Sequence, residues 1–437
     1  MKTKLLSFCY LFLTFTCSFL SAENFLETFP LASNECAASV ATLASGQILT
    51  AAVDFQNSGG DILLFSLNPD GTFNNGQRLS GAGDDQAQAL IATSDGGAVL
   101  VGNTSSFGQG DWDGFIIKFR RSGSIAWKKT LGTPAVQQFV RVVETHDKGL
   151  IVLGDTDGGS TSNDVLVIKY NSRGRIIWKK TISTPLFDHA SGLSLTSDNG
   201  AIVAIASNVT DGIRSVLVKL KANGAVEWSR MYGSSGTHIA VSAVEAADGG
   251  YYFTELFHSS EQTPVGTVLS KLDSDGTPLW SRLFRKSAND VFIEVISSKP
   301  DGGALLGGTI SSVSSGKGIL FSISSDGKIQ WKKSVKTDLR PLSVRSFSAN
   351  EESVLAAGCV GTRFANNMDV VLLNLQNDGK FQGGCAKLRK FSVSSSSFTL
   401  TDAPATIQLL SPQYVSGTPE FTSTAVDAPP ARACPGE

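Results

Sequence analysis

The stretch Asp113–Trp127, DGFIIKFRRSGSIAW, decides the architecture because the chain repeats it. The same 15-residue frame reads DILLFSLNPDGTFNN from Asp61, DVLVIKYNSRGRIIW from Asp164 and RSVLVKLKANGAVEW from Arg214. It continues as GTVLSKLDSDGTPLW from Gly266, KGILFSISSDGKIQW from Lys317 and DVVLLNLQNDGKFQG from Asp369. The eleventh position is glycine in all seven copies: Gly71, Gly123, Gly174, Gly224, Gly276, Gly327 and Gly379. The last position is tryptophan in the five middle copies, at Trp127, Trp178, Trp228, Trp280 and Trp331. Asn75 takes that place in the first copy and Gly383 in the last. Successive last positions lie 50–52 residues apart, a period that belongs to repeat architectures.

A second unit precedes each frame. DQAQALIATSDGGAVLVGNT from Asp85 is followed by QQFVRVVETHDKGLIVLGDT from Gln137, DHASGLSLTSDNGAIVAIAS from Asp188 and HIAVSAVEAADGGYYFTELF from His238. Looser versions turn at Ser45, Asp301 and Glu351. Each unit reads as two strands, A and B, joined by an Asp-Gly type turn. The frame supplies strands C and D, and its glycine sits where a tight hairpin turn needs a positive φ. Seven such modules without helical periodicity predict an all-β fold, a seven-bladed β-propeller of four-stranded antiparallel blades with an extended C-terminal tail.

The termini and composition bound the setting. Lys2 and Lys4, an apolar run from Leu5 to Leu20 and Ser21-Ala22 read as a secretory signal peptide cleaved after Ala22. The division is then residues 1–22 signal, 23–33 lead segment, 34–390 propeller and 391–437 a Ser/Thr/Pro-rich tail, with a further strand expected near Phe398–Leu410. No other run is long and apolar enough to span a membrane, so the mature chain is expected at the cell surface, outside the cell or in a periplasm. Losing Lys2 and Lys4 takes the net charge from −2 to −4, which argues against nucleic acid as a partner. Four cysteines remain, Cys36, Cys359, Cys385 and Cys434, an even number that suggests two disulfides in an exported chain. Cys36 opens strand A of module 1 and Cys359 closes strand B of module 7, on one face of blades that meet in a ring. Cys36–Cys359 with Cys385–Cys434 is one pairing, and Cys36–Cys385 with Cys359–Cys434 competes. The modules read as whole, each with its own four strands and no exchange between the ends.

The stretch TSSFGQGDWDGFIIKFRRSGSIAWKKTLG from Thr104 resembles the repeat of secreted bacterial and archaeal β-propeller repeat proteins. The frame is also similar to the blade of quinoprotein-type propellers. That resemblance covers residues 34–388 and implies blade docking by Trp127, Trp178, Trp228, Trp280 and Trp331. A ring of that size buries roughly 150–250 Å². It implies no specific activity.

For function, variable B–C and D–A loops share one end of the ring, called here the top, and short A–B and C–D turns share the bottom. Loops on a rigid scaffold are where binding resides. The start of strand A forms a polar column: Glu35, Asp85, Gln137, Asp188 and His238, with Asp290 and Arg340 one residue earlier. It reads either as a polar or cation-binding channel mouth or as caps on strand starts. His189 and His238 near that mouth lack an obvious third metal ligand, and His146 lies by a bottom turn. Trp112, the one tryptophan outside the frame, reads as a sugar platform or as a lid on a blade edge. Asn103 and Asn208 open glycosylation triplets. No nucleophile elbow, phosphate loop or zincin motif is present. The sequence therefore points to a non-enzymatic binding scaffold without a cofactor, engaging a protein or glycan through its top loops. A quinoprotein-type oxidoreductase or a glycan-active propeller is the alternative; the former would bring eight blades and an adjacent cysteine pair, which this chain lacks.

Overall fold

The computed structural model describes residues 26–29 and most of 35–389. Outside the described residues in that span are 55–59, 158–162, 185, 234–235, 260–264, 287–288, 313–314, 337–341, 350–352, 361–368, 377, 379 and 381–386. In the tail it describes 394–398, 400, 402–404, 408–410, 415–417, 422–425 and 431–432. The signal segment, Gly379, Cys385 and Cys434 thus lie outside the described residues.

The chain is a seven-bladed propeller of antiparallel blades. Blade 2 is typical: A Asp85–Ala92, B Ala98–Thr104, C Asp113–Phe119 and D Ile125–Gly132. Strand C is buried along its whole length in blades 2 and 5, as expected of a sheet sandwiched on both faces. The apolar cores lie between blades. One joins Leu64 and Ile62 of blade 1 to Leu100 and Phe115 of blade 2. Another joins Leu355 and Leu372 of blade 7 to Ala52 and Phe65 of blade 1 and so closes the ring. The C–D turn glycine adopts a positive φ, +80° at Gly123 and +75° at Gly174.

The tryptophans span neighbouring blades. The Nε1–H of Trp127 donates to Ser172 O at 3.2 Å, that of Trp178 to Ala222 O at 3.1 Å and that of Trp228 to Ser274 O at 3.1 Å. Each acceptor stands two residues before the next blade's turn glycine. A Cβ on Gly174, Gly224, Gly276 or Gly327 would lie within 3.0 Å of the indole of Trp127, Trp178, Trp228 or Trp280.

Two features depart from the sequence reading. The blades are not all whole: strand D of blade 7 is Leu26–Phe29, from the lead segment, paired antiparallel with strand C at Leu373–Val370. The N-terminal segment therefore closes the ring. The tail is also more than one added strand. After blade 7 it returns around the rim, laying a fifth strand on every blade. Lys387–Arg389 pairs with blade 6, Ser394–Phe398 with blade 5, Asp402–Pro404 with blade 4 and Gln408–Leu410 with blade 3. Val415–Gly417 then pairs with blade 2, Thr422–Ala425 with blade 1 and Ala431–Arg432 with Leu26–Phe29 in blade 7. Cys36 and Cys359, both buried, form a disulfide across the blade 1–blade 7 seam, with Cα atoms 5.1 Å apart.

A lysine inside blades 2 to 5 ties strand C to the A–B turn. Lys118, Lys169, Lys219 and Lys271 reach Asp95, Asp147, Asp198 and Asp248 at 2.7–2.8 Å. Burial raises these carboxyls somewhat, but the lysine, with a threonine O–H and a glycine N–H donor at the turn, outweighs it and holds Asp95 and Asp147 down at about 2. A carboxyl whose pKa is lower folded than unfolded stabilises the fold above the unfolded value, about 3.9, and loses that contribution as pH falls through about 2. Asp147 is 56% exposed, so screening trims its charge-assisted bond to about 1 kcal/mol. Asp147→Asn is expected to be less stable than the wild type by that amount at pH 6, with the gap closing between pH 4 and pH 2. Urea denaturation at the three pH values checks this; a gap independent of pH would refute the pairing.

Candidate functional site in the central channel

In the column at the start of strand A, Asp85, Gln137, Asp188 and His238 are buried and Asp290 is half-buried. Asp85 accepts from Thr104 Oγ1 at 2.5 Å and Ser106 Oγ at 2.9 Å. Asp188 accepts from Thr184 N at 2.6 Å and Thr184 Oγ1 at 2.8 Å. Burial raises both carboxyls and these donors only partly offset it. Gln137 accepts from Thr133 N at 2.5 Å and donates to Thr133 Oγ1 at 2.7 Å. Asp290 accepts from Val265 N at 2.8 Å. His238 sits in the core with its Nδ1 2.9 Å from Oε1 of the fully buried Glu255. Each of these groups has its partner in its own blade, its own entry loop or the adjoining blade. The side chain of Glu35 and all of Arg340 lie outside the described residues.

His189 pairs with Asp155 of blade 3 at 2.6 Å, and that carboxylate holds the imidazole above its ordinary pKa. Among the described residues no three His, Cys, Asp or Glu side chains gather closely enough to hold a metal. Trp112 is half-buried, and its carbonyl accepts from Gln137 N at 2.8 Å. Beside it, Asp113 caps Gln109 N at 2.6 Å and Gly110 N at 3.2 Å. Asn103 is buried, with its Oδ1 accepting from Phe139 N at 2.7 Å, so it presents no amide for glycan attachment; Asn208 is exposed.

The charge left over lies deeper. Strand A of every blade carries a β-bulge at one matching position: Ala38, Gln88, Val140, Ser191, Val241, Glu294 and Arg345. Such a bulge adds one residue and re-aims a side chain. The seven inner strands surround a channel of about 750 Å³ lined by backbone, small polar residues such as Ser39, Ser194 and Ser242, and three charged side chains. These are Glu294 of blade 6, Arg345 of blade 7 and Arg141 of blade 3.

Among the described lining residues two guanidiniums face one carboxylate, a net positive charge. Arg141 donates to Val140 O at 2.9 Å. Among the described residues, neither arginine forms an ion pair or hydrogen bond with Glu294. Burial raises the Glu294 carboxyl, opposed by the charges of Arg345 and then Arg141. Burial lowers the Arg141 guanidinium, with Glu294 opposing; it stays charged. Arg141 and Glu294 are part covered and Arg345 is exposed, because the channel is open to solvent.

These charges stand at the fourth and fifth residues of the inner strands and not at the first. The signal was there: RVVE, FIEV and SVRS place a charge inside strands assigned to the channel wall.

No protein-family model matches this chain, and no curated protein matches it. Solved structures give distant likenesses of shape. A protein of unknown function from Dyadobacter fermentans DSM 18053 is 9% identical over 80% of this chain and 97% of its own, at TM-score 0.44. Sqt1 from Chaetomium thermophilum is 12% identical over 83% and 99%, at 0.44. A mutant of the NanB sialidase from Streptococcus pneumoniae is 12% identical over 82% and 70%, at 0.42. No activity or partner passes from them to this chain.

Proposed function

We propose that this protein is an exported, non-enzymatic binding scaffold that holds an anionic group of its ligand in the central channel. One observation carries the reading. The polar column at the mouth is spent on structural bonds, whereas Arg141, Glu294 and Arg345 stand in an open channel with their charges uncompensated by direct contact. A fold that leaves charge unpaired at its centre gives up stability there, and ligand sites are where such groups collect. The two arginines take a carboxylate or phosphate, and Glu294 accepts from a donor on the same ligand. Export is supported by the apolar leader and by the Cys36–Cys359 disulfide, which persists in oxidising surroundings. The B–C and D–A loops, variable in sequence, would meet a protein or glycan that carries the anionic group.

Inorganic phosphate is the first probe. Calorimetric titration of the wild type is expected to show saturable binding, weakened about 10-fold or more in Arg345→Gln, whose side chain is solvent-facing and not needed for packing. Equal binding by both proteins would remove the channel from consideration.

A further inference from the structure

Between blades 1 and 2 the repeat leaves a slot open, and its own geometry says what fits there. Between blades 2 and 3, 3 and 4, and 4 and 5, an indole lies over the next blade's turn glycine and donates its N–H to the carbonyl two residues before that glycine. Between blades 1 and 2 the equivalent residue is Asn75, exposed and holding Ser66 Oγ at 2.9 Å. A Cβ on Gly123, the turn glycine that should be covered, would meet nothing within 4 Å. In that place is a cavity of about 290 Å³. Leu49, Leu64 and Phe119 line its apolar side, and Gly123 and Arg121 line its rim.

We propose that this slot is a binding site for an indole group. The ring would take the place that Trp127 takes on Gly174, flat against Gly123, with its N–H donating to Arg121 O. That carbonyl is the counterpart of Ser172 O, Ala222 O and Ser274 O, and it accepts no hydrogen bond among the described residues. The specificity follows from the pair of features. An apolar bed alone takes any small ring, but the acceptor at its rim rewards an N–H on the ring edge and disfavours benzene-like rings that leave the carbonyl bare. The volume is at the small end for ligand pockets, about 300 Å³, which suits a single bicyclic ring. The slot opens on the bottom face among the C–D turns, away from the channel mouth, so it is independent of any ligand held by Arg141 and Arg345.

Two probes distinguish the sources of an indole group: free indole, and N-acetyltryptophanamide as a peptide-borne side chain. In wild-type protein, free indole is expected to bind saturably and to shift the backbone amide resonances of Gly123 and Ser124. Naphthalene, which lacks the N–H, is expected to bind several-fold more weakly. Binding of N-acetyltryptophanamide at the same amides would assign the slot to a partner's tryptophan; binding of indole alone would assign it to a small ligand. Asn75→Trp should fill the slot from within, abolish both binding events and raise the melting temperature. A reverse variant, Trp178→Gly, should open a second indole site, with indole shifting the amide of Gly224. The proposal is overturned if neither probe moves the Gly123 amide, or if Asn75→Trp folds and still binds as the wild type does.

Discussion

A chain ended at residue 384 is expected to self-associate at concentrations where the full chain does not. The tail covers the outer edge of every blade. Unpaired sheet edges template pairing with other chains. The thermodynamic balance within the belt is nearly even: ordering each residue costs about 1–2 kcal/mol, and each net hydrogen bond returns about 0.5–1.5 kcal/mol. Removal should therefore move the melting temperature modestly and the aggregation threshold greatly.

The register shows where the edges depend on the belt. In blades 2, 3 and 6 the D strands carry Lys128-Lys129, Lys179-Lys180 and Lys332-Lys333, charges of the kind that deter edge pairing. The tail pairs just beyond them, at Thr130–Gly132, Thr181–Ser183 and Ser334–Lys336. The lysines guard the lower half of each edge and the tail the upper half. Light scattering of the truncated and full chains across a concentration series tests this. A truncated protein that stays as dispersed as the full chain would mean the lysines suffice.

The blades were legible in the sequence because each asks for something local. Gly123 and Gly174 mark turns that need a positive φ, and VLVIKY in blade 3 is apolar on both faces because both are covered. Ring closure was not legible, since LETF at Leu26–Phe29 is four residues with no frame around them, and only the failure of FQGG after Gly379 to continue like WKKT hinted that blade 7 must borrow a strand. The belt was hidden for a related reason. Its strands are two to five residues long and recur about every seven residues, one blade per step, too short to show a strand period. Asp85 and Asp188 recur in register, which is what a structural group does, and both bond within their own blade and its entry loop. The residues that break the repeat, Asn75, Arg141, Glu294 and Arg345, are the ones left with open space or unspent charge.

Breaking the Cys36–Cys359 bond should produce the largest loss of stability. The bridge joins residues 323 apart, and closing so long a loop in the unfolded chain is worth roughly 5–6 kcal/mol on the chain-entropy estimate, while removal of native disulfides typically costs about 2–5 kcal/mol. The lower range is the expectation, because it is what removal of native disulfides typically costs, residual structure in the unfolded chain cutting into the loop-entropy gain. Leu26–Phe29 already holds the N-terminal segment in blade 7, a few residues upstream of Cys36, so native contacts between blades 7 and 1 do not depend on sulfur alone. The double variant Cys36→Ser, Cys359→Ser avoids a stray thiol and is expected to lower the denaturation free energy by about 2–5 kcal/mol. The loss should also be uneven. Blades that only stack on neighbours open first where the ring is weakest, so amide exchange should quicken in blades 1 and 7 while Val152, Leu166 and Val203, in the cores of blades 3 and 4, keep their protection. If exchange quickened evenly around the ring, the bond would be acting on the unfolded chain only; if the midpoint did not move, the strand exchange at Leu26–Phe29 would be closing the propeller unaided.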